Sequence, residues 1–337
     1  MLNIISKTLD FDDLFQFSSV SKNWRAFHKI YWTDFLASRK PLLLQISYHV
    51  KESYSFINIS NQEVCHLEMM KHFPRSIYVT SSSRYFIMTK YNNSFMLINP
   101  FGRIKKVINT PTSEVSCSLT NRALLAFFKC FEESVLVVLC KLRLHVYQSR
   151  NCGWVTYSTM ENPEEWVVDF VVLHNIIYVV TNKASIGVLS LNSANIKFLK
   201  LKSTPNVTSS LYLRLVNCDE QLLVVDLVTK EIRNVYKIDF STMNYVKLET
   251  LGDIALFSIS NGFKRNCYAL SNPNRLGYES NCVYAISLLS TICNVYSWDD
   301  KKLQNCITLP APKETRGLMV DWCFRNLHYE VDYSLVE

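Results

Sequence analysis

Glycine is scarce. Seven occur in 337 residues, at 102, 153, 187, 252, 262, 277 and 317. No two of them lie close enough to form a P-loop, a dinucleotide-binding turn or a nucleophile elbow, each of which needs glycines within one tight turn. Cysteine is present but unpatterned. The eleven cysteines include no C-x-x-C pair and their number is odd, which argues against both a disulfide framework and a zinc cluster and points to reduced core thiols. Long apolar runs are absent too. The stretch Val135 to Cys140 falls far short of the ~18 residues a membrane span requires, and no basic start leads into an apolar segment, so neither membrane insertion nor secretion is expected. The expected location is the cytoplasm, the nucleus or both.

Charge excludes little. Thirty-six Lys and Arg against 29 Asp and Glu leave +7, spread along the chain as a mild field. The densest basic run, Arg103, Lys105 and Lys106, reads as a solvated strand or turn, and no nucleic-acid partner is expected. The seven histidines stand singly, with no H-x-H or H-E-x-x-H arrangement, so no metal or general-base role is assigned to them. His66 and His72 are the nearest pair. Glu164-Glu165 and Asp299-Asp300 are adjacent carboxylates, but neighbours on a strand point to opposite faces, and turn positions account for them better than a glycosidase-like pair. No catalytic residue and no cofactor are expected.

What the chain has is apolar and aromatic residues, 48% and 13%, a composition suited to pleated surfaces. From Pro41 onward short β-rich runs alternate with turn residues. Leu142, Leu144 and Val146 alternate with Arg143, His145 and Tyr147. Val167 to Leu173, Ile176 to Thr181, Gly187 to Leu191 and Ile196 to Leu201 form a four-stranded meander with His174-Asn175, Asn182-Lys183 and Asn192-Ser193 between them. One such meander amounts to one propeller blade.

A weak repeat of strand, turn and strand recurs six times. Its copies begin at Phe56, Phe95, His145, Gly187, Val235 and Val295, and their second strands at Val64, Ile104, Trp154, Ile196, Tyr245 and Leu303. Taking Ile59, Ile98, Tyr147, Leu191, Phe240 and Trp298 as equivalent gives a mean step near ~48 residues, within the range of propeller blades. Six blades would consume residues 41–337, and Leu42 to Ile46 could pair with Gly317 to Phe324 to close the ring. A β-sandwich is the competing arrangement. Trp154, Trp166, Trp298 and Trp322 fall in or beside these strands and are expected to fill blade interfaces.

Residues 1–40 follow another rule. Leu2, Ile5 and Leu9 keep helical spacing; Asp10 can cap a second helix that carries Leu14, Phe17 and Val20; Trp24, Phe27, Tyr31 and Phe35 continue a third. Three short helices cannot bury their own apolar faces, so the unit must dock on something. The run Leu9-Asp10-Phe11-Asp12-Asp13-Leu14 through Val20-Ser21-Lys22-Asn23-Trp24-Arg25 resembles the second half of a plant F-box. The family's opening Leu-Pro element has no counterpart here. Further on, Leu97-Ile98-Asn99-Pro100, Leu222 to Val225, Val235 to Phe240, Leu251 to Phe257 and Asn281 to Tyr284 are similar to the KIB-type β-propeller of F-box proteins.

The resemblance implies a mainly β protein, a six-bladed propeller at 41–337 preceded by a three-helix F-box module at 1–40. It also implies a role: Leu2, Ile5, Leu9, Leu14, Phe17, Val20 and Trp24 would dock a Skp-type adaptor and through it a cullin, while propeller loops hold a target protein for ubiquitin transfer. The chain itself would be a non-catalytic receptor subunit. The alternative is a propeller binding module that does not assemble a ligase because its F-box is incomplete.

Overall fold

The computed structural model describes residues 41–332 apart from 48–52, 60–61, 67–75, 84, 91–92, 100–103, 111–119, 129–132, 141, 158–163, 206, 208–211, 229–230, 262–263, 288–289, 311–317 and 325–328. The three helices expected within 1–40 lie outside the described residues. What is described is a six-bladed β-propeller, with a short 3-10 turn at Pro273–Leu276.

The strands follow in chain order. Blade one holds β1 (Leu42–Ser47), β2 (Ser53–Ile57) and β3 (Val64–His66); blade two, β4 (Ser76–Ser82), β5 (Tyr85–Lys90), β6 (Ser94–Asn99) and β7 (Ile104–Asn109). Blade three has β8 (Thr120–Phe128), β9 (Ser134–Cys140), β10 (Arg143–Gln148) and β11 (Gly153–Tyr157); blade four is β12 (Val167–Leu173), β13 (Ile176–Thr181), β14 (Ile186–Ser190) and β15 (Asn195–Phe198). Blade five follows with β16 (Leu213–Cys218), β17 (Gln221–Val228), β18 (Glu231–Asp239) and β19 (Asn244–Lys247). Blade six contains β20 (Ile254–Asn261), β21 (Lys264–Ser271), β22 (Cys282–Ser287), β23 (Ile292–Ser297) and β24 (Leu303–Thr308). Then come β25 (Leu318–Cys323) and β26 (Glu330–Val331).

Strand sequence sets depth within a blade. β9 is buried at every position and reads Ser-Val-Leu-Val-Val-Leu-Cys, because both of its faces meet a neighbouring blade. The outermost β24 is exposed at all but one position and carries Gln304 and Asn305. Each interface is a layer of aliphatic and aromatic side chains from two facing sheets. Between blades three and four it includes Val135, Val137, Val146, Phe170, Val179 and Leu189.

The six strand pairs marked by the repeat are the outer hairpins of the six blades: β2–β3, β6–β7, β10–β11, β14–β15, β18–β19 and β23–β24. The predicted closure is also formed. β25 pairs antiparallel with β1, Leu43 opposite Trp322 and Leu42 opposite Cys323, so blade one is completed by a strand from the far end of the described chain.

Blade six departs from the four-strand pattern. Its order is β21-β20-β22-β23-β24, and β20 runs parallel to β22. Parallel neighbours need a crossover in place of a tight turn. Residues 272–281 supply it, entered at Asn272 (φ 47°) and turned at Gly277 (φ 77°), a left-handed conformation that glycine adopts without a Cβ clash.

Candidate functional site

The innermost strands β4, β8, β12, β16, β21 and β25 surround the propeller axis and carry Tyr78, Arg122, Asp169, Arg214, Asn266 and Asp321; in β12 and β25 the charged residue stands alone in an apolar run. Bulges next to three of them, between Tyr78 and Thr80, Thr120 and Arg122, and Val167 and Asp169, shift the register of the strand. A bulge re-aims a side chain without breaking the sheet.

Tyr78, Arg122, Asp169, Asn266 and Asp321 are joined side chain to side chain into one network. Arg122 gives Nε to Asp169 Oδ1 at 2.7 Å, its Nη2 lies 2.5 Å from the same oxygen, and its Nη1 donates to Asn266 Oδ1 at 2.7 Å. Asn266 Nδ2 reaches both carboxylate oxygens of Asp321, at 3.0 and 3.1 Å. Tyr78 and Tyr268 hydroxyls donate to Asp321 at 3.1 and 3.3 Å. The amides of Phe170 and Leu215 complete Asp169, at 2.8 and 2.9 Å. Arg214 ties blade five to blade six by donating Nε to the Arg265 carbonyl.

Burial sets the electrostatics. It pushes the Tyr78 and Tyr268 hydroxyls well above their ordinary range, and the Asp321 charge adds to this, so both remain donors. Burial works against the Arg122 charge, but Asp169, with Tyr268 and Asp321 adding to it, more than restores it and the guanidinium ends above its usual value. Arg214 is lowered to about 10 by burial, with Arg122 and Arg265 adding to the shift and Asp169 opposing it. Cys267, beside this network, is raised to about 12 by burial, so it is a thiol and not a thiolate nucleophile.

A hollow of about 60 Å³ between Thr80, Arg122, Asn217, Tyr268 and Tyr329 has room for a few waters. Such a network holds its charges against one another, and its chemical capacity is to lock six blades in register about the axis.

One end of the axis is covered. The Tyr329 amide donates to Ser83 Oγ at 3.0 Å, its carbonyl accepts from Phe127 N at 2.9 Å, and the Asp332 amide donates to the Asn175 carbonyl at 3.0 Å, so residues 329–332 bridge the ends of β4, β8 and β12. β26 thereby adds to β8 as a parallel neighbour. Pro41, which leads into β1, lies on this same face: Leu42 pairs with the last residue of β25, and the Pro41 carbonyl accepts from Tyr278 Oη in the connection after β21.

Tyr329→Ala is expected to cost about 1–3 kcal/mol, as for a partly buried side chain. Amide exchange should accelerate at Phe127, which bonds Tyr329, and not at Phe128, which bonds Glu133. Equal acceleration at the two amides would refute the bridging role.

The KIB1-4 β-propeller family model matches residues 55–313, well over half of the chain. The chain belongs to the KIB1-4 β-propeller family. An F-box domain model matches residues 1–27, so this KIB1-4 propeller is joined to an F-box. No curated protein matches the sequence.

Among solved structures, that of apo AztD from Citrobacter koseri is similar at 12% identity, covering 65% of this chain and 59% of that one with a TM-score of 0.38. A crystal structure of the same protein matches at 11%, covering 64% of this chain and 54% of that one with a TM-score of 0.36. The chain thus spans less than two thirds of those proteins, and a likeness this distant carries no argument about the KIB1-4 propeller.

The adaptor-docking residues expected from sequence, Leu2, Ile5, Leu9, Leu14, Phe17, Val20 and Trp24, fall within the F-box match and outside the described residues. Trp322 and Trp298 fill blade interfaces, Trp166 packs against one, and Trp154 lies tilted against Phe95 of blade two at 5.7 Å while donating to the Asn109 carbonyl at 2.8 Å. Asp300 is a turn residue accepting from the Lys302 amide, and Glu165 accepts from Thr181 Oγ1. Lys106 is exposed on β7.

His145 is buried and bonded to Thr156 Oγ1 at 3.0 Å. Among the described residues, no group of three or more His, Cys, Asp or Glu side chains could hold a metal ion, and eight cysteines are free thiols. The axial network was missed from sequence. Its signal was there: a lone charged residue inside an apolar strand, as in Val167-Val168-Asp169-Phe170-Val171 and Met319-Val320-Asp321-Trp322.

Proposed function

We propose that this protein is the substrate-recognition subunit of a Skp-cullin-F-box ubiquitin ligase. The observation that carries the reading is the joining of an F-box match at 1–27 to a KIB1-4 propeller match at 55–313 in one chain. An F-box supplies apolar helical surface for a Skp-type adaptor, and a propeller supplies a rigid platform whose connecting loops can select a target. The chain's contribution is proximity: a target held near a loaded ubiquitin-conjugating enzyme reacts as if intramolecularly. No catalytic group of its own is needed, and the working location is the cytoplasm or the nucleus.

The polarity of the propeller favours one face for the target. Pro41 and residues 329–332 share the face where the inner strands end. The opposite face, where those strands begin, is the better candidate for target binding.

A pull-down with a Skp-type adaptor tests the assignment. The chain is expected to capture the adaptor, and Leu14→Asp or Trp24→Ala to abolish capture, because each removes an apolar contact from a small helical surface. Capture that survives both substitutions overturns the docking assignment. Absence of capture by the unaltered chain favours a propeller module that works outside a ligase.

A further inference from the structure

The extra strand of blade six changes its interface with blade five. Because β20 is inserted between β21 and β22, the outer strands of blade six stand one strand spacing, roughly 4.8 Å, farther from the axis than those of blade five. On the face turned to blade five, the β20–β22 register pairs Leu256 with Val283, then Ser258 with Ala285, then Ser260 with Ser287. Leu256 and Val283 pack into the interface core, but the small pairs above them cannot fill the widened gap.

The result is a hollow of about 380 Å³, with Val228 and Ile232 of blade five on one wall and Ser258, Val283, Ala285 and Tyr296 of blade six on the other. That volume falls within the usual range of small-molecule sites.

The rim is charged. Arg233, Glu231 and Lys301 line it, two cations against one carboxylate. Lys301 is the telling group. It sits in the turn after β23 at φ 56°, with Nζ over the Trp298 ring, and makes no ion pair with any described carboxylate. Burial, together with the nearby Lys247 and against the pull of Asp299, lowers it to about 8. A cation that has lost part of its hydration, and that the nearby Asp299 only partly offsets without an ion pair, favours an incoming anion.

We propose that the hollow between blades five and six binds a small amphipathic carboxylate, its apolar part over Ser258 and Ala285 and its charge on Lys301. The site is independent of F-box docking and would let a metabolite-sized acid govern the outer surface of this blade pair.

Calorimetric titration of the full chain with octanoate, octylamine and octanol tests it. Octanoate is expected to bind saturably in the millimolar range or tighter, and octylamine not to bind. Lys301→Met should weaken octanoate about tenfold, the loss of one partly desolvated charge contact. Ala285→Phe should abolish binding by filling the hollow, with Ser258→Leu as the alternative filler if the first variant fails to melt cooperatively.

Raising the pH from about 7 to about 9 should release octanoate from the unaltered chain as Lys301 loses its proton, and should leave Lys301→Met unaffected. Lys247, Arg233, Glu231 and Asp299 are the other charged groups around that amine. Equal binding of octanoate and octylamine, no saturable octanoate heat, or octanoate binding that survives both filling variants overturns the proposal.

Discussion

Arg122→Met is expected to destabilise the propeller by about 3–5 kcal/mol, the cost of leaving one member of a buried ion pair without its partner. The argument rests on Asp169. Its carboxylate is fully buried and accepts from the Arg122 guanidinium and two backbone amides, so removing the guanidinium leaves a negative charge in the protein interior with only the amides to hold it. Asn266 loses a donor in the same step, which weakens the path from blade three to Asp321 on blade one.

The double variant Arg122→Met/Asp169→Leu should recover part of the loss, because replacing both charges by apolar groups removes the stranded carboxylate. Urea unfolding of the four proteins gives the coupling directly, and an effect of the double variant equal to the sum of the single ones would show that the pair does not act as a unit.

Trp322→Ala is the other large effect, also about 3–5 kcal/mol. The indole is fully buried and stands edge-on to Phe257 at 4.8 Å, within a cluster that includes Leu43, Ile57, Tyr278 and Tyr284. It therefore joins the closing strand both to blade one, through the β1–β25 pairing, and to blade six. Its loss should loosen the ring at its seam before anywhere else. Amide exchange is expected to quicken in β1 and β25 while β12 and β13 of blade four keep their protection. Uniform acceleration across all blades would mean that the seam is no weaker than the rest.

How much of this was legible depends on what produces a pattern in sequence. The outer hairpins were readable because a turn marks them and their last strand is largely wet, as in Asn195–Phe198, where Asn195, Lys197 and Phe198 are exposed and Ile196 is half-buried, after the polar turn Asn192-Ser193. Closure was readable because Leu42 to Ile46 and Gly317 to Phe324 were apolar strands left without partners at the two ends of the repeat.

The inserted strand of blade six left only a trace, the step of 58 residues from Phe240 to Trp298, longer than any other. Ile254 to Asn261 looks like any buried strand, and its parallel pairing with β22 is decided by a crossover whose turn residues, Asn272 and Gly277, do not reveal strand order. The axial network was hidden for a related reason. Local periodicity reports which face is buried, whereas Arg122, Asn266 and Asp321 meet only after the ring has closed. β26 is two residues long and its pairing is backbone to backbone, which leaves no side-chain signature.

The seam between β1 and β25 also sets a clock. The innermost partner of β1 begins at Leu318, 271 residues after Ser47 (318 − 47), so on a ribosome adding about 5–20 residues per second β1 waits roughly 15–55 s for it. Through that interval the edge Leu42-Leu43-Leu44-Gln45-Ile46-Ser47 is open. It contains no charge and no proline, the devices that protect a free strand from pairing with another chain. Nascent chains on crowded polysomes are thus exposed to one another along this strand, and the yield of folded propeller should fall as elongation slows.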